Sequence, residues 1–285
     1  MSSYLNIVTF LVATTFYYFG IKPTLTYEII MSEVDENGES DYINYIKNGY
    51  VFIVIYFLFI VVTQFIVNTS VITGNCGGSV TENLGAAALY TFLPWILIFG
   101  VIIIILIINP GFKRVFADVI GYFYVSYYAN KIIADLLIDR DLQKNLEKGN
   151  VGEGQKEALQ NAADAIIKVC GNVSILINQI VPSNFKQYLQ ELEPLMKDKY
   201  KSSAEGEQLK EELFNLVVTR DSIGEAMWYI YTGILLTSLV QLQITSRGCV
   251  NSQAAMEQNY KTFLANEEQA QAQQAQAQST TYTVS

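Results

Sequence analysis

The chain of 285 residues is 51% hydrophobic and only 16% charged, with a mean hydropathy of +0.25, a balance that points to lipid as the solvent for much of it. It contains no histidine, which excludes Ser-His-Asp and Cys-His catalysis, HExxH zinc sites and His-ligated iron. A net charge of -9, an isoelectric point near 4.6 and no cluster of Lys or Arg exclude nucleic acid as a partner.

The charged side chains leave four stretches bare, 1–21, 48–81, 83–112 and 226–246. Each is long enough for a bilayer, which takes about 20 apolar residues. The first, 1–21, reads as an amino-terminal anchor. Thr9, Thr14 and Thr15 interrupt it, and it ends in Phe16, Tyr17, Tyr18 and Phe19, aromatics that favour the membrane interface. Met1 to Tyr4 lacks a basic n-region and FYYFGIKP lacks small residues for cleavage, so the run is expected to stay attached. An acidic loop, 22–49, follows, with SEVDENGESD at 32–41 reading as solvated and mobile.

Residues 50–112 predict a transmembrane hairpin of Tyr50 to Ile72 and Ala86 to Ile108, joined by a loop containing Cys76, Gly77 and Gly78. Pro94 removes a backbone donor and predicts a kink near Pro94-Trp95. Lys113 and Arg114 place the end of this hairpin on the cytoplasmic side, with Lys22 and Lys47, while the loop 73–85 has no basic residue and falls opposite. In 113–130, Val115, Phe116, Val119, Ile120 and Phe123 recur at helical spacing. They predict an amphipathic helix along the cytoplasmic membrane surface or, alternatively, the first helix of a water-facing domain.

That domain spans 131–225, where charge returns as 12 basic and 16 acidic residues. Leu159, Ala163, Ile166, Ile167 and Cys170 form one stripe, and Pro182 ends that helix. Ser183 is placed to cap the next, with Phe185, Leu189 and Leu192 on one side, and Pro194 interrupts it. Leu209, Leu213, Leu216 and Val217 mark a third helix, so a small helical bundle is predicted. Segment 226–246 reads as a fourth span or a buried hairpin helix, and Trp228, Tyr229 and Tyr231 at its start favour the span. A span brings Cys249 to the side of Cys76, where the two can form a disulfide, leaving Cys170 unpaired. The tail 247–285 is polar and rich in Ala and Gln, with a helix expected from Ser252 through Met256, Tyr260 and Phe263. The fold class is thus all-α, a membrane protein of three to four transmembrane helices carrying a small soluble helical bundle.

Candidate chemistry is sparse. Gln64 and Asn68 share one face of the second span and are expected to make interhelical polar contacts. No Asp, Glu, Lys or Arg lies inside a span, which argues against a transport pathway. Asn68-Thr-Ser and Asn172-Val-Ser match the glycosylation triplet but lie in a membrane segment and a cytoplasmic helix. Glu191 with Glu193, and Glu211 with Glu212, read as solvated helix faces. No catalytic set, cofactor site or metal site is expected.

The order of features carries a likeness: TGNCGGS, then FLPWILIFGVIIIILIINPGF, a helical domain with ILINQIVPSNF, and EAMWYIYTGILLTSLVQLQITSRGC. Over about residues 50–250 the chain resembles the membrane-embedded minor capsid or virion membrane proteins of large icosahedral double-stranded DNA viruses. The resemblance implies a non-enzymatic protein of an internal virion membrane derived from the host endoplasmic reticulum. Its partners would be the lipid bilayer and the major and other minor capsid proteins, with homo- or hetero-oligomers open, and the 131–225 domain and the carboxyl tail would contact the shell from the cytoplasmic face. The alternatives are a component of a viral entry or membrane-fusion complex displaying the Cys76 and Cys249 loops, and a channel or transporter subunit.

Overall fold

In hydrocarbon every backbone N–H and C=O must find its partner within its own segment, so long apolar runs fold as helices. The computed structural model describes residues 4–32, 40–77, 79–137, 173–193, 196–247, 249, 257 and 260–271. It is 91% helical, with no strand among the described residues. The helices are α1 (Leu5–Ile21), α2 (Tyr27–Met31), α3 (Asp41–Cys76), α4 (Val80–Ile108), α5 (114–136), α6 (Val173–Gln179), α7 (Phe185–Leu192), α8 (Asp198–Lys201), α9 (Ala204–Arg247) and α10 (260–271).

Three of them, α3, α4 and α9, are long and apolar enough to cross a membrane, and α1 is apolar but shorter. All four pack together around Phe10, Tyr56, Trp95, Phe99 and Tyr229, each no more than 1% exposed. Their starts obey local rules. The Ser40 hydroxyl accepts from the Ile43 amide at the head of α3, and Ser79 with Glu82 forms a reciprocal capping box at the head of α4. Between them Gly77 adopts φ of 68°, a left-handed conformation that glycine takes without penalty, and this turns the chain from α3 into α4. At Pro94 helix α4 continues through a wide π-helical turn, Trp95–Gly100, which accommodates the missing donor.

The principal departure from the sequence reading is α9. The soluble helix through Leu213 and Val217 and the apolar segment 226–246 form one uninterrupted helix of 44 residues, about 66 Å at 1.5 Å per residue. No Pro lies between 204 and 247 to stop it. The expected boundary at 225 is therefore a change from charged to apolar sequence without a change of structure. Because Arg247 and Ala204 are opposite ends of this rod, the tail leaves from the end opposite the bundle. The expectation that tail and bundle present themselves on one face is corrected accordingly.

Helix α5 runs antiparallel to the first half of α9, with Ala117 against Gly224 and Gly121 against Arg220. Its inner face is Ala117, Gly121, Val125, Ala129, Ile132 and Ile133. The larger residues Val115, Val119 and Phe123, on which the interfacial-helix expectation rested, point outward. Small residues admit the close approach, and α5 thereby joins the helical bundle. The bundle core continues through Leu176, Ile177, Phe185, Leu189, Leu213 and Phe214. Ser183 lies within the turn Pro182–Asn184 and makes no cap for α7; instead Asn184 accepts from the Val181 amide at 2.8 Å. The stripe from Leu159 to Cys170, Asn172 of its triplet, Gly78, Pro194, Ser252, Met256, most of the acidic run at 32–41 and the Ala-Gln tract past Gln271 lie outside the described residues.

Candidate functional site

The polar side chains that the four packed helices bury fall in layers along α9. Deepest is an uncharged knot. Asn6 on α1 donates to Asn68 on α3 at 2.7 Å and to Gln241 on α9 at 3.2 Å. Asn68 donates in turn to Thr91 on α4 at 2.9 Å, and Gln64 donates to the Asn6 carbonyl at 3.1 Å. Gln64 and Asn68 are thus brought together as expected of one helix face, and Asn6, Thr91 and Gln241 complete a set that ties all four helices. An amide in hydrocarbon has no water to fall back on, so such bonds fix register.

Above the knot the interior is aromatic. Trp95 and Phe99 lie 5.1 Å apart, Phe10 sits 5.6 Å from Trp95, and Tyr229 sits 5.6 Å from Phe99. Gly233 lets α9 close on the Phe10 ring, since a methyl group at that position would overlap it. These rings fill the bundle axis.

Where the apolar stretches end, a charged girdle closes the bundle. Glu225 on α9 accepts from Lys22, which follows α1, at 2.9 Å, from Lys113, which follows α4, at 2.6 Å, and from the Tyr18 hydroxyl at 3.1 Å. Lys113 also reaches Asp221 at 3.4 Å. Burial pushes the Lys113 ammonium down, but Glu225 and Asp221 outweigh it and hold the group above the ordinary lysine range. The carboxylate is nearly enclosed, its side chain only 6% exposed. Beside it lie two adjoining cavities of about 190 and about 390 Å³.

Beyond the girdle Arg220, fully buried, clamps the end of α6. Its guanidinium donates to the Ile177 and Ile180 carbonyls and to the Asn178 side chain, with Asp118 at 4.0 Å. Arg114 adds a bond to the Asn178 carbonyl at 3.2 Å. A cation at the last carbonyls of a helix satisfies groups the helix cannot. The clamp accounts for the stretch ILINQIVP, and sequence reading missed it because its acceptors are mostly backbone.

At the opposite end Cys76 and Cys249 are joined by a disulfide, their Cα atoms 5.1 Å apart across 173 residues of sequence. Asn83 braces the turn beside it through the carbonyls of Gly77 and Ser79. Glu191, Glu193, Glu211 and Glu212 are exposed on helix surfaces and form no shared site. Among the described residues no group of three His, Cys, Asp or Glu could hold a metal ion. The arrangement holds helices in register. Comparison with protein-family models, curated proteins and solved structures finds nothing that matches this chain.

Proposed function

We propose that the protein is a structural component of a virion that anchors an internal lipid membrane to the capsid shell, its water-facing bundle meeting capsid proteins. The observation that carries the reading is α9: one rigid helix is at once a bilayer span and the central element of the water-facing bundle, so load on the bundle passes into the membrane without a hinge. The girdle and the Arg220 clamp reinforce that junction, as an adaptor between a sheet of lipid and a protein shell needs. The resemblance of residues 50–250 to virion membrane proteins supplies the viral context.

Detergent stripping of purified virions tests it. The protein should stay with the shell fraction, or in detergent micelles be captured by isolated capsid proteins through the bundle. Absence from every virion fraction refutes the proposal. The fusion-complex reading has one favouring observation, the disulfide that shapes the end opposite the bundle. Loss of infectivity on removing Cys76 or Cys249, with particle assembly intact, would favour it. A channel is disfavoured because Trp95, Phe99 and Phe10 occupy the bundle axis.

A further inference from the structure

The side chains that α5 turns away from α9 are left uncovered. Val115, Val119, Phe123, Tyr124, Tyr127 and Tyr128 are each between 56% and 87% exposed. Among the described side chains, α2, α6, α7, α8 and α9 as far as Glu225 expose no large hydrophobic residue. The exposed apolar surface of the water-facing bundle is thus gathered on α5. Tyr127 and Tyr128 brace each other there, their ring centroids 5.2 Å apart and their planes nearly perpendicular.

The bilayer does not reach most of this face. Lys113, in the girdle, marks the level at which the apolar stretches end, and α5 follows α9 away from it. At 1.5 Å per residue Phe123 lies about 15 Å and Tyr127 about 21 Å farther along the helix. The headgroup layer adds only about 5–8 Å on each side of the hydrocarbon core. In water the four rings and two valines expose on the order of 800 Å², more than the largest patch of a typical monomer and about what each partner of a stable complex buries.

We propose that this face of α5 is the contact between two copies of the chain in one membrane, related by a twofold axis along the membrane normal. Anchoring gives both copies the same orientation and depth, so the face meets itself at matching heights. A twofold contact sets a patch against itself, and like charges brought together in this way cost several kcal/mol. In a chain of net charge -9 the contact must therefore fall where charge is missing. From 115 to 130 the single charged residue is Asp118, which is turned to Arg114 at 3.3 Å and Arg220 at 4.0 Å, and Lys131 marks the outer edge of the face. Aromatic side chains are the residues that such contacts enrich. The inference rests on the membrane fold and does not depend on the capsid-anchor proposal.

The test uses the full chain, fluorescently tagged at its carboxyl end and reconstituted in liposomes, with bleaching steps counted per particle as the ratio of lipid to protein is raised. Two steps should persist at dilutions where chance pairing has vanished. Phe123→Glu combined with Tyr127→Glu should raise the dissociation constant of the dimer at least about thirtyfold, the effect of losing one aromatic hot spot, and Tyr127→Phe should leave it unchanged. With Cys170→Ser in place, Tyr127→Cys should be joined to its counterpart in the second copy by a short thiol cross-linker, and Glu191→Cys, on the exposed side of α7, should not. Intact Cys76–Cys249 pairing and an unchanged melting profile identify the charged variants that fold, and the cross-link stands without them. Single steps at every ratio overturn the proposal and leave the face to a different protein. A dimer that survives both charges overturns it too. So does a cross-link from Tyr127→Cys to the native Cys170 within one chain, which would assign the face to the chain's own residues 138–172.

Discussion

Asn68 is fully buried, at apolar depth, and its amide is satisfied at both ends, accepting from Asn6 and donating to Thr91. Replacing it by Leu keeps the branched outline but leaves Thr91 without its donor and Asn6 with Gln241 alone. The loss should be about 1–2 kcal/mol, measured by unfolding in mixed micelles with increasing SDS, with the unfolded state in the membrane also finding partners and so setting the ceiling. Glu225→Ala should cost more, about 3–5 kcal/mol, because it removes the counter-charge shared by Lys22 and Lys113 and leaves Asp221 to serve Lys113 alone. Glu225→Gln should recover part of that by keeping one accepting oxygen for the bonds that now fall on Oε1. The alkaline limb follows from Lys113: its pKa is raised in the folded state, so its contribution is complete below the ordinary lysine value and is lost as pH rises through the raised one. Melting temperature in detergent should accordingly be flat from neutral pH upward and fall only in strong alkali. Gln64 and Asn68 were legible in sequence because an amide inside an apolar run has to be bonded to something. Asn6 was not, since near the polar start of the chain it looks like the end of a segment. Arg220 was invisible because the carbonyls it serves leave no trace in composition.

The four apolar segments and the all-helical class could be read from the disappearance of charge and the lack of period-two alternation, but the junctions between segments could not. Charge vanishes at Ala226, yet the backbone has no reason to stop there, and α9 runs on. Likewise the apolar period of 114–136 drew the eye to Val119 and Phe123, whereas the interface is made by the small residues Ala117, Gly121 and Ala129. Close approach of backbones rewards what is absent from a side chain, which a hydrophobicity pattern does not register. Gly224→Leu tests that account. A methyl at position 224 already comes within 2.7 Å of Ala117, so a larger group should push α5 off α9, cost roughly 1–3 kcal/mol and loosen the helix around the surface residue Lys131 enough for faster trypsin cleavage there. Gly233→Leu should instead displace Phe10 and loosen α1, leaving cleavage at Lys131 unchanged.

Taken whole, the molecule is held at both ends by different chemistry, ionic at one and covalent at the other. Cys76→Ser should lower the melting temperature by an amount equivalent to about 2–5 kcal/mol, and reducing agent should do the same to the native chain and nothing to the variant. The pairing of these two cysteines could be reasoned from the count of spans, whereas the chain that passes between them, with its clamp and cavities, could not. Because the bridge lies just beyond α9, it makes a covalent ring of everything from Cys76 to Cys249, and the tail hangs from that ring at the knot of the bond. A pull on the tail is therefore shared between two spans, α3 and α9, and neither can be drawn from the bilayer alone while the bridge is intact. Reduction turns a double-rooted anchor into a single-rooted one, so in force measurements the tail should release in one large step when oxidised and in smaller successive steps when reduced.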